Sequence, residues 1–471
     1  MTATQPRAAA ENAPRGLPVR RATLVAALVC LVSFAAFWAA QRAAHVSMID
    51  LTVYRAEGWT VRNGGDLYAM RVTHAQLPNT YPPFAALLFT PLTLLGTGAC
   101  RVAATLLNLG LLVALAHLSL RLAGPPRRLP PAAAALAVAA AAVWCEPVWT
   151  TLRYGQINLL LAVLVLWDLT RRGSRTAGIG VGIAAGIKLT PLLFVLFLAI
   201  GGAVAAWRRR EKWNGWLRQA AVAFVTFAAT AGLSALVLPR DSRRFWTGVV
   251  FSADRAGNGE DTANQSLRGV LARALHTGDP GGVWLLAAVL VAAAGLAVAA
   301  AHLASGEHAW AVLSCAVTGL LVSPVSWSHH WVWAVPLLVF LAGRAPRGRR
   351  PALRWGGAAL FGLLFCSYAL WLTPHGDGVV RPELHQSAAQ MALSAVYPAA
   401  GAAFLCLAAA AAWRGRGTAP PNPPERRPGR LRATPTGPRA GPVRPAPAAG
   451  ARGERDRTRN RPGETRGSRL P

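Results

Sequence analysis

The chain has 471 residues, 53% of them hydrophobic and 14% charged, with a mean hydropathy of +0.34. This excludes a soluble domain with one anchor and points to an integral membrane protein. The net charge of +30 is unevenly spread: residues 414–471 hold fifteen Arg against four Asp and Glu, or +11, with no interleaved aromatics to suggest nucleic acid as a partner.

Residues 1–21 read as a cytoplasmic N-terminal segment. Arg15, Arg20 and Arg21 precede a first apolar stretch, 22–44, too long for a cleaved secretory signal. Basic flanks stay in the cytoplasm, so Asp50, in Met48-Ile49-Asp50-Leu51-Thr52-Val53-Tyr54-Arg55, should emerge on the outer face. A carboxylate at that boundary serves either as a cap or solvated charge, or as a catalytic base on a substrate that arrives in lipid.

Further apolar segments follow at 101–122, 131–149, 157–170, 176–188, 191–206, 217–238, 282–304, 309–324, 329–343, 352–373 and 391–412. With the first they predict about twelve spans, several short of the ~20 residues a perpendicular helix needs. The apolar 84–97 reads as a re-entrant or interfacial helix on the outer side. The domain organisation is then 1–21, a membrane domain over 22–413, and a basic tail over 414–471. That tail, rich in Pro, Gly, Ala and Arg, is expected to be disordered, cytoplasmic and drawn to anionic lipid.

Loop charge tests the topology. Arg121, Arg127 and Arg128; Arg171, Arg172 and Arg175; Arg208, Arg209, Arg210, Lys212 and Arg218; and Arg344, Arg347, Arg349, Arg350 and Arg354 all fall inside, as does the tail. Both termini are then cytoplasmic in a multi-pass plasma-membrane protein. The outer loops carry arginines too: Arg153, Arg240, Arg243, Arg244, Arg255, Arg268, Arg273 and Arg381. An anionic substrate would explain them; so would indifference of long translocated loops to the charge rule. The six cysteines lie in or beside apolar segments and read as small packing residues without a disulfide frame.

Polar groups gather on the expected outer face. The first loop supplies Asp50, Tyr54, Arg55, Asp66 and Thr80-Tyr81-Pro82-Pro83-Phe84, where paired prolines hold an extended backbone and set entry into a helix. Next come Glu146-Pro147 and Gly155-Gln156-Ile157-Asn158, which could merely cap a helix. Lys188, in the turn Lys188-Leu189-Thr190-Pro191, could snorkel, but an ionisable residue beside hydrocarbon reads first as functional. Asn264-Gln265-Ser266 fits a glycosylation pattern, a turn or a carbohydrate contact. In Ser323-Pro324-Val325-Ser326-Trp327-Ser328-His329-His330-Trp331, the tryptophans Trp331 and Trp333 read as interfacial belt residues. The adjacent histidines point different ways on a helix and lack an acidic or Cys partner at i+4, so no metal site is expected.

Taken together, Asp50-Leu51-Thr52-Val53-Tyr54, Thr80-Tyr81-Pro82-Pro83-Phe84, Gly155-Gln156-Ile157-Asn158, Ile187-Lys188-Leu189-Thr190-Pro191, Asn264-Gln265-Ser266 and Ser323–Trp331 resemble the signature blocks of one family. It is the actinobacterial polyprenyl-phosphate-mannose-dependent α-1,2-mannosyltransferases, glycosyltransferase family 87. The resemblance runs in order from about residue 45 to 340. It implies an all-α polytopic GT-C-type bundle with short outer-face helices in the first extracytoplasmic loop. It also implies an extracytoplasmic transferase with a polyprenyl-phosphate mannose donor, a glycan or glycolipid acceptor, and no cofactor. The family's catalytic carboxylate maps onto Asp50, and its Trp-Ser-His-His block onto His329 and His330 near the sugars.

The residue types suit that chemistry. The leaving group is already an activated phosphate, so an inverting transfer needs one base and no general acid, unlike glycoside hydrolysis. Asp50 ranks ahead of Asp66, which fits a turn, and Glu146, which precedes a proline at a helix end. Lys188, Arg55 and Arg255 are candidates for steadying the departing phosphate. His329, His330, Tyr81, Gln156, Asn158, Asn264 and Gln265 are candidates for the sugars and acceptor. A transporter or flippase of a lipid-linked sugar would instead show inverted repeats and mid-membrane ionisable residues. The halves show no such similarity. A scaffold acting through its basic tail is the third reading.

Overall fold

Apolar runs punctuated by proline, glycine and short polar turns favour helices throughout the membrane domain. The computed structural model describes residues 19–124, 129–171, 173–345, 351–376 and 380–416. Residues 1–18 of the N-terminal segment, 417–471 of the tail, and Arg127, Arg128, Arg172, Arg347, Arg349 and Arg350 lie outside them. The first apolar segment is α1 (Val19–Ala43). The loop after it folds into α2 (Ile49–Arg62) and α3 (Pro83–Phe89) with a 3-10 turn over Thr90–Leu94. As the paired prolines predict, Pro82 is extended (φ −55°, ψ 152°) and Pro83 opens α3.

Next come α4 (Thr97–Ala123), α5 (Pro131–Ala142), α6 (Glu146–Tyr154), α7 (Asn158–Thr170), α8 (Ile179–Ile187), α9 (Leu192–Arg209) and α10 (Gly215–Val237). The loop after α10 holds α11 (Pro239–Thr247) and α12 (Leu267–Ala274), followed by α13 (Gly281–Ala304) and α14 (His308–Val322). A 3-10 stretch, Ser328–Trp333, leads into α15 (Ala334–Arg344), then α16 (Pro351–Cys366), α17 (Ala388–Ser394) and α18 (Val396–Arg416). Among the described residues there is no named strand, only isolated bridges such as Asn264–Trp327.

The protein is therefore a polytopic all-α membrane protein, but the expected twelve spans are not matched by twelve long helices. Among the described residues, six helices (α1, α4, α9, α10, α13, α18) are long and apolar enough to cross a bilayer, or seven if α5 and α6 count as one span. Segment 131–149 breaks over residues 143–145, just before Glu146-Pro147 opens α6, and α5 and α6 bend by 78°. Segment 176–188 shortens to the nine residues of α8 because Gly178 (φ +116°) starts it late and Lys188 ends it in an extended conformation.

The helices share two end layers. In one, Asp168 at the end of α7 binds Arg171 and the Val181 amide of α8. There too Asn214 caps α10 and donates to Gly202 of α9, while Arg344 of α15 pairs with Glu307. The basic turns carrying Arg171, Arg175, Arg208–Arg210, Lys212 and Arg218 belong to this layer. In the other layer the end of α1, the start of α4, the α6–α7 and α8–α9 turns, and the α14–α15 connection meet α2. Arg101 of α4 reaches Ser47 there, and Lys188 reaches Asn158 and His330.

One buried acid ties this second layer together. Glu146 is fully buried. Its Oε1 accepts from Thr150 Oγ1 (2.8 Å), Ser328 Oγ (2.8 Å) and Trp371 Nε1 (3.1 Å), and its Oε2 from the Tyr397 hydroxyl (2.8 Å). One side chain thus joins α6, the Ser323–Trp333 loop, the 369–372 turn and α18. The belt reading of Trp331 is corrected: it is 1% exposed, donates to Gln265 O, and packs against Phe365 and Tyr397. The cysteine reading stands: all six thiols are free and four are buried, with those of Cys145 and Cys366 lying 3.0 Å apart.

A second constraint is Gly155, which ends α6 at φ +68° and lets the turn touch α2: a Cβ there would lie 2.7 Å from Leu51 Cβ. Gly155→Ala combines left-handed strain with overpacking, together about 2 kcal/mol or more. It should lower the thermal midpoint of the detergent-solubilised protein; an unchanged midpoint would mean Leu51 gives way freely. Glu146→Leu strands buried donors at roughly 1–3 kcal/mol each, so no folded protein is expected by size-exclusion chromatography. Glu146→Gln keeps one oxygen and lets the Tyr397 hydroxyl turn to accept, so it should fold with a lowered midpoint.

Candidate active site

The face of α2 carrying Asp50, Val53, Tyr54 and Glu57 repeats at i, i+3, i+4 and i+7, so one helical stripe points four side chains the same way. These side chains line one wall of a cavity of about 270 Å³. Other walls come from Thr80, Tyr81 and Pro82 before α3, Gln156 of the α6–α7 turn, Lys188 and Thr190 of the α8–α9 turn, Phe245 and Arg255 after α10, and Trp327 and His330.

Asp50 sits at its centre. Gln156 donates to its carboxylate, and the Lys188 cation acts on it. Gln156 Oε1 in turn accepts from the hydroxyls of Tyr54 (2.7 Å) and Tyr81 (3.3 Å), which lie 3.0 Å apart. This locks the amide so that its nitrogen faces Asp50. Burial pushes the Asp50 carboxyl up to about 6, against the opposing pull of Gln156 and Lys188.

Lys188 lies beside it. Its Nζ is 2.9 Å from His330 Nε2, 3.5 Å from Asn158 Oδ1, and over the Tyr81 ring at 5.5 Å. His330 Nδ1 accepts the Trp327 amide at 3.1 Å, which assigns the ring proton to Nε2. Two donors then converge on the cavity with no acceptor between them. Asn158 is shared: Oδ1 faces Lys188 while Nδ2 donates to His329 O (3.2 Å), which Thr151 Oγ1 also binds (2.9 Å).

The sequence candidates divide. Asp50, Tyr81, Gln156, Lys188, Arg255 and His330 line one cavity, and Asn158 braces it from behind. His329 does not line it; it is buried against Tyr154, with its Nε2 unpartnered among the described residues. Asn264 and Gln265 are fully buried and spend their amides on the scaffold: Asn264 binds the Ser326 amide and Gly259 O, and Gln265 binds Thr262 O and Ser394 O. They clamp the Ser323–Trp333 loop, which favours the turn reading of Asn264-Gln265-Ser266. Arg55 lies on the other face of α2, bonded to Leu95 O, beside a separate hollow.

Four of the eight arginines set against an anionic substrate have structural partners instead. Arg244 pairs with Asp66, Arg268 with Asp279 (3.9 Å) and Arg381 with Glu260 (3.3 Å). Arg273 is buried against the carbonyls of Glu260, Asp261, Asn264 and Ser394. Arg255 alone of that set lines the cavity, held by Tyr68 O (3.0 Å) and Asn79 O (3.2 Å). Asp66 accepts the Tyr68 and Ala69 amides, as a turn residue should.

Sequence reading missed Glu57. It is fully buried, lines the cavity, and has no partner for either oxygen among the described residues. Burial first, and the Asp50 charge second, push its carboxyl well above the usual range. The signal was its spacing, two helical turns after Asp50.

Residues 79–324 match the model of glycosyltransferase family 87. The chain is 34% identical to a Mycobacterium tuberculosis polyprenol-phosphate-mannose-dependent alpha-(1-2)-phosphatidylinositol pentamannoside mannosyltransferase, over 73% of this chain and 78% of that protein. It is 36% identical to that organism's phosphatidylinositol mannoside mannosyltransferase of the same dependence, over 65% and 72%. It is also 36% identical to a Mycolicibacterium smegmatis phosphatidylinositol pentamannoside mannosyltransferase, over 67% and 74%. No solved structure matches the chain.

Proposed function

Because the chain belongs to glycosyltransferase family 87, we propose that it transfers mannose from a polyprenyl-phosphate carrier to a hydroxyl of a glycolipid acceptor, inverting the donor and forming an α-1,2 linkage. The observation that carries this reading is one cavity holding an activated carboxylate, Asp50, beside two converging donors, the Lys188 cation and the neutral His330 Nε2–H. A departing phosphate accepts from both.

The step balances simply. Asp50 takes the proton of the acceptor hydroxyl as its oxygen attacks the anomeric carbon. The bond from that carbon to the phosphate oxygen breaks, and the phosphate leaves with the electron pair. Lys188 and His330 Nε2–H receive the growing charge, with Arg255 as a second cation across the cavity. Gln156 holds the Asp50 carboxylate through the Tyr54–Tyr81 pair, so the base is fixed before substrate arrives. Glu57, holding its proton, donates to a sugar oxygen. His329 shapes the wall through its backbone and ring. No metal enters this mechanism, because side-chain cations supply the charge.

We place the cavity on the extracytoplasmic side. The supporting observation is that the basic turns gather at the layer opposite to it, and basic turns stay cytoplasmic. Both termini are then cytoplasmic. The shorter apolar helices α7, α8, α14, α15 and α16 complete a bundle of about twelve passes, crossing with help from their 3-10 and turn extensions, while α2, α3, α11 and α12 lie at the outer surface. A flippase reading finds no support in a polar cavity confined to one end.

Asp50→Asn keeps the hydrogen bond to Gln156 but removes the base. It should cut kcat by roughly 10²–10⁴-fold with little change in donor KM; near-normal kcat in reconstituted vesicles would remove Asp50 from this role. A base works ionised, so kcat/KM should rise with pH through about 6 and fall below it. Gln156→Ala, which loses the bond that lowers the Asp50 pKa, should move that acid limb upward. An acid limb unmoved in the variant would mean another group sets it.

A further inference from the structure

Three arginines have no part in the mechanism above. Arg42 lies in the last turn of α1, Arg101 near the start of α4, and Arg55 on the face of α2 turned away from Asp50. They border two adjoining hollows that share Arg101. One, of about 320 Å³, is lined by Leu51, Arg55, Trp59 and Arg101 among others. The other, of about 190 Å³, is lined by Phe37, Trp38, Gln41, Arg42 and Arg101 among others.

No acidic residue lines either hollow, and none of these arginines forms an ion pair among the described residues. Two are held in place by backbone: Arg55 Nη2 donates to Leu95 O (3.1 Å) and Arg101 Nη2 to Ser47 O (2.8 Å). Arg55 Nε and both amide atoms of Gln41 are buried and unpartnered. Buried polar atoms without partners are costly, and each one calls for a ligand or another explanation. Three cations without a counter-charge call for an anion.

The surroundings say what kind of anion. Along the stripe of α1 that continues from Trp38 and Arg42, Leu24, Leu28 and Leu31 are exposed, and α4 exposes Val102, which lines a hollow, and Leu106 one turn on. Both are membrane-crossing helices, so these rows face acyl chains. A free phosphate would use the arginines and leave the apolar walls bare. An amphiphile uses both.

We propose that Arg42, Arg55 and Arg101 bind the phosphodiester of a two-chain anionic glycerophospholipid whose chains lie along α1 and α4. Resting on the transferase reading, the site belongs to the acceptor's own anchor, because α2 is a common wall: its Asp50 face lines the cavity and its Arg55 face lines the hollow. A head group held there is about one helix diameter, roughly 10 Å, from the base, a span that mannose residues on the head group can cover. An unrelated membrane lipid is the other source of the same chemistry.

The test uses the full-length protein with Arg42→Gln and Arg101→Gln combined, and Arg42→Lys with Arg101→Lys as the charge-retaining control. Native mass spectrometry from vesicles of phosphatidylinositol and phosphatidylcholine reads the site without any turnover. Wild type and the lysine control should retain phosphatidylinositol selectively, and the glutamine variant should lose that selectivity. Equal retention by the glutamine variant overturns the site. Transfer assays then separate the sources. With a phosphatidylinositol-anchored mannoside, the glutamine variant should raise acceptor KM about tenfold or more. With an uncharged alkyl mannoside, KM should stay within about twofold. Lost lipid selectivity with both acceptors unaffected overturns the anchor assignment in favour of a membrane lipid. A wild type that binds lipid but transfers to neither acceptor sinks the transferase reading while the lipid site stands.

Discussion

The layer that holds the cavity depends on Glu146. Four neutral donors from four separate parts of the chain converge on its two carboxyl oxygens, and among the described residues no cation pairs with it. In a dry interior each bond is stronger than it would be in water, and each donor would be costly if left alone. The acid therefore acts as a knot. It holds the break between α5 and α6 against the loop that carries His330, and ties both to α18. Without that knot nothing local would keep a bent helix pair and a 3-10 turn in register.

Around this knot the molecule separates positioning from chemistry. Asn264, Gln265 and Arg273 look like polar ligands in a sequence, yet their donors go to backbone carbonyls. They hold the Ser323–Trp333 loop where the described residues form no sheet to support it. Irregular backbone at this depth must satisfy its own carbonyls and amides, and buried amide and guanidinium side chains do that. The groups left to meet a ligand are then few: Asp50, Glu57, Lys188, His330, Arg255 and the two tyrosines.

The cavity balances two opposing terms. Burial makes Asp50 a stronger base, while Gln156 and Lys188 keep it from becoming neutral. Lys188 and His330 form the complementary half, a donor pair that awaits an oxyanion. The same division of charge recurs on the far side of α2, where arginines with no acidic partner among the described residues border two hollows between α1, α2 and α4. One short helix thus presents acids to one side and a cation to the other.

Much of this was legible in the chain. Composition made it a polytopic membrane protein, the paired prolines opened α3, and loop charge separated two faces. Lys188 stood out because ionisable residues beside hydrocarbon are rare and costly, Asp50 as a carboxylate just past the first span, and His330 through the family resemblance. These are one-dimensional properties: hydropathy, charge and local backbone preference act within a few residues. The tertiary structure alone decided which polar groups share a cavity. It moved Arg55 to the wrong side of α2, spent Asn264 and Gln265 on backbone, broke the 131–149 segment, and brought Glu57 beside Asp50. Burial and hydrogen-bond partnership depend on residues far apart in sequence, and only packing sets them.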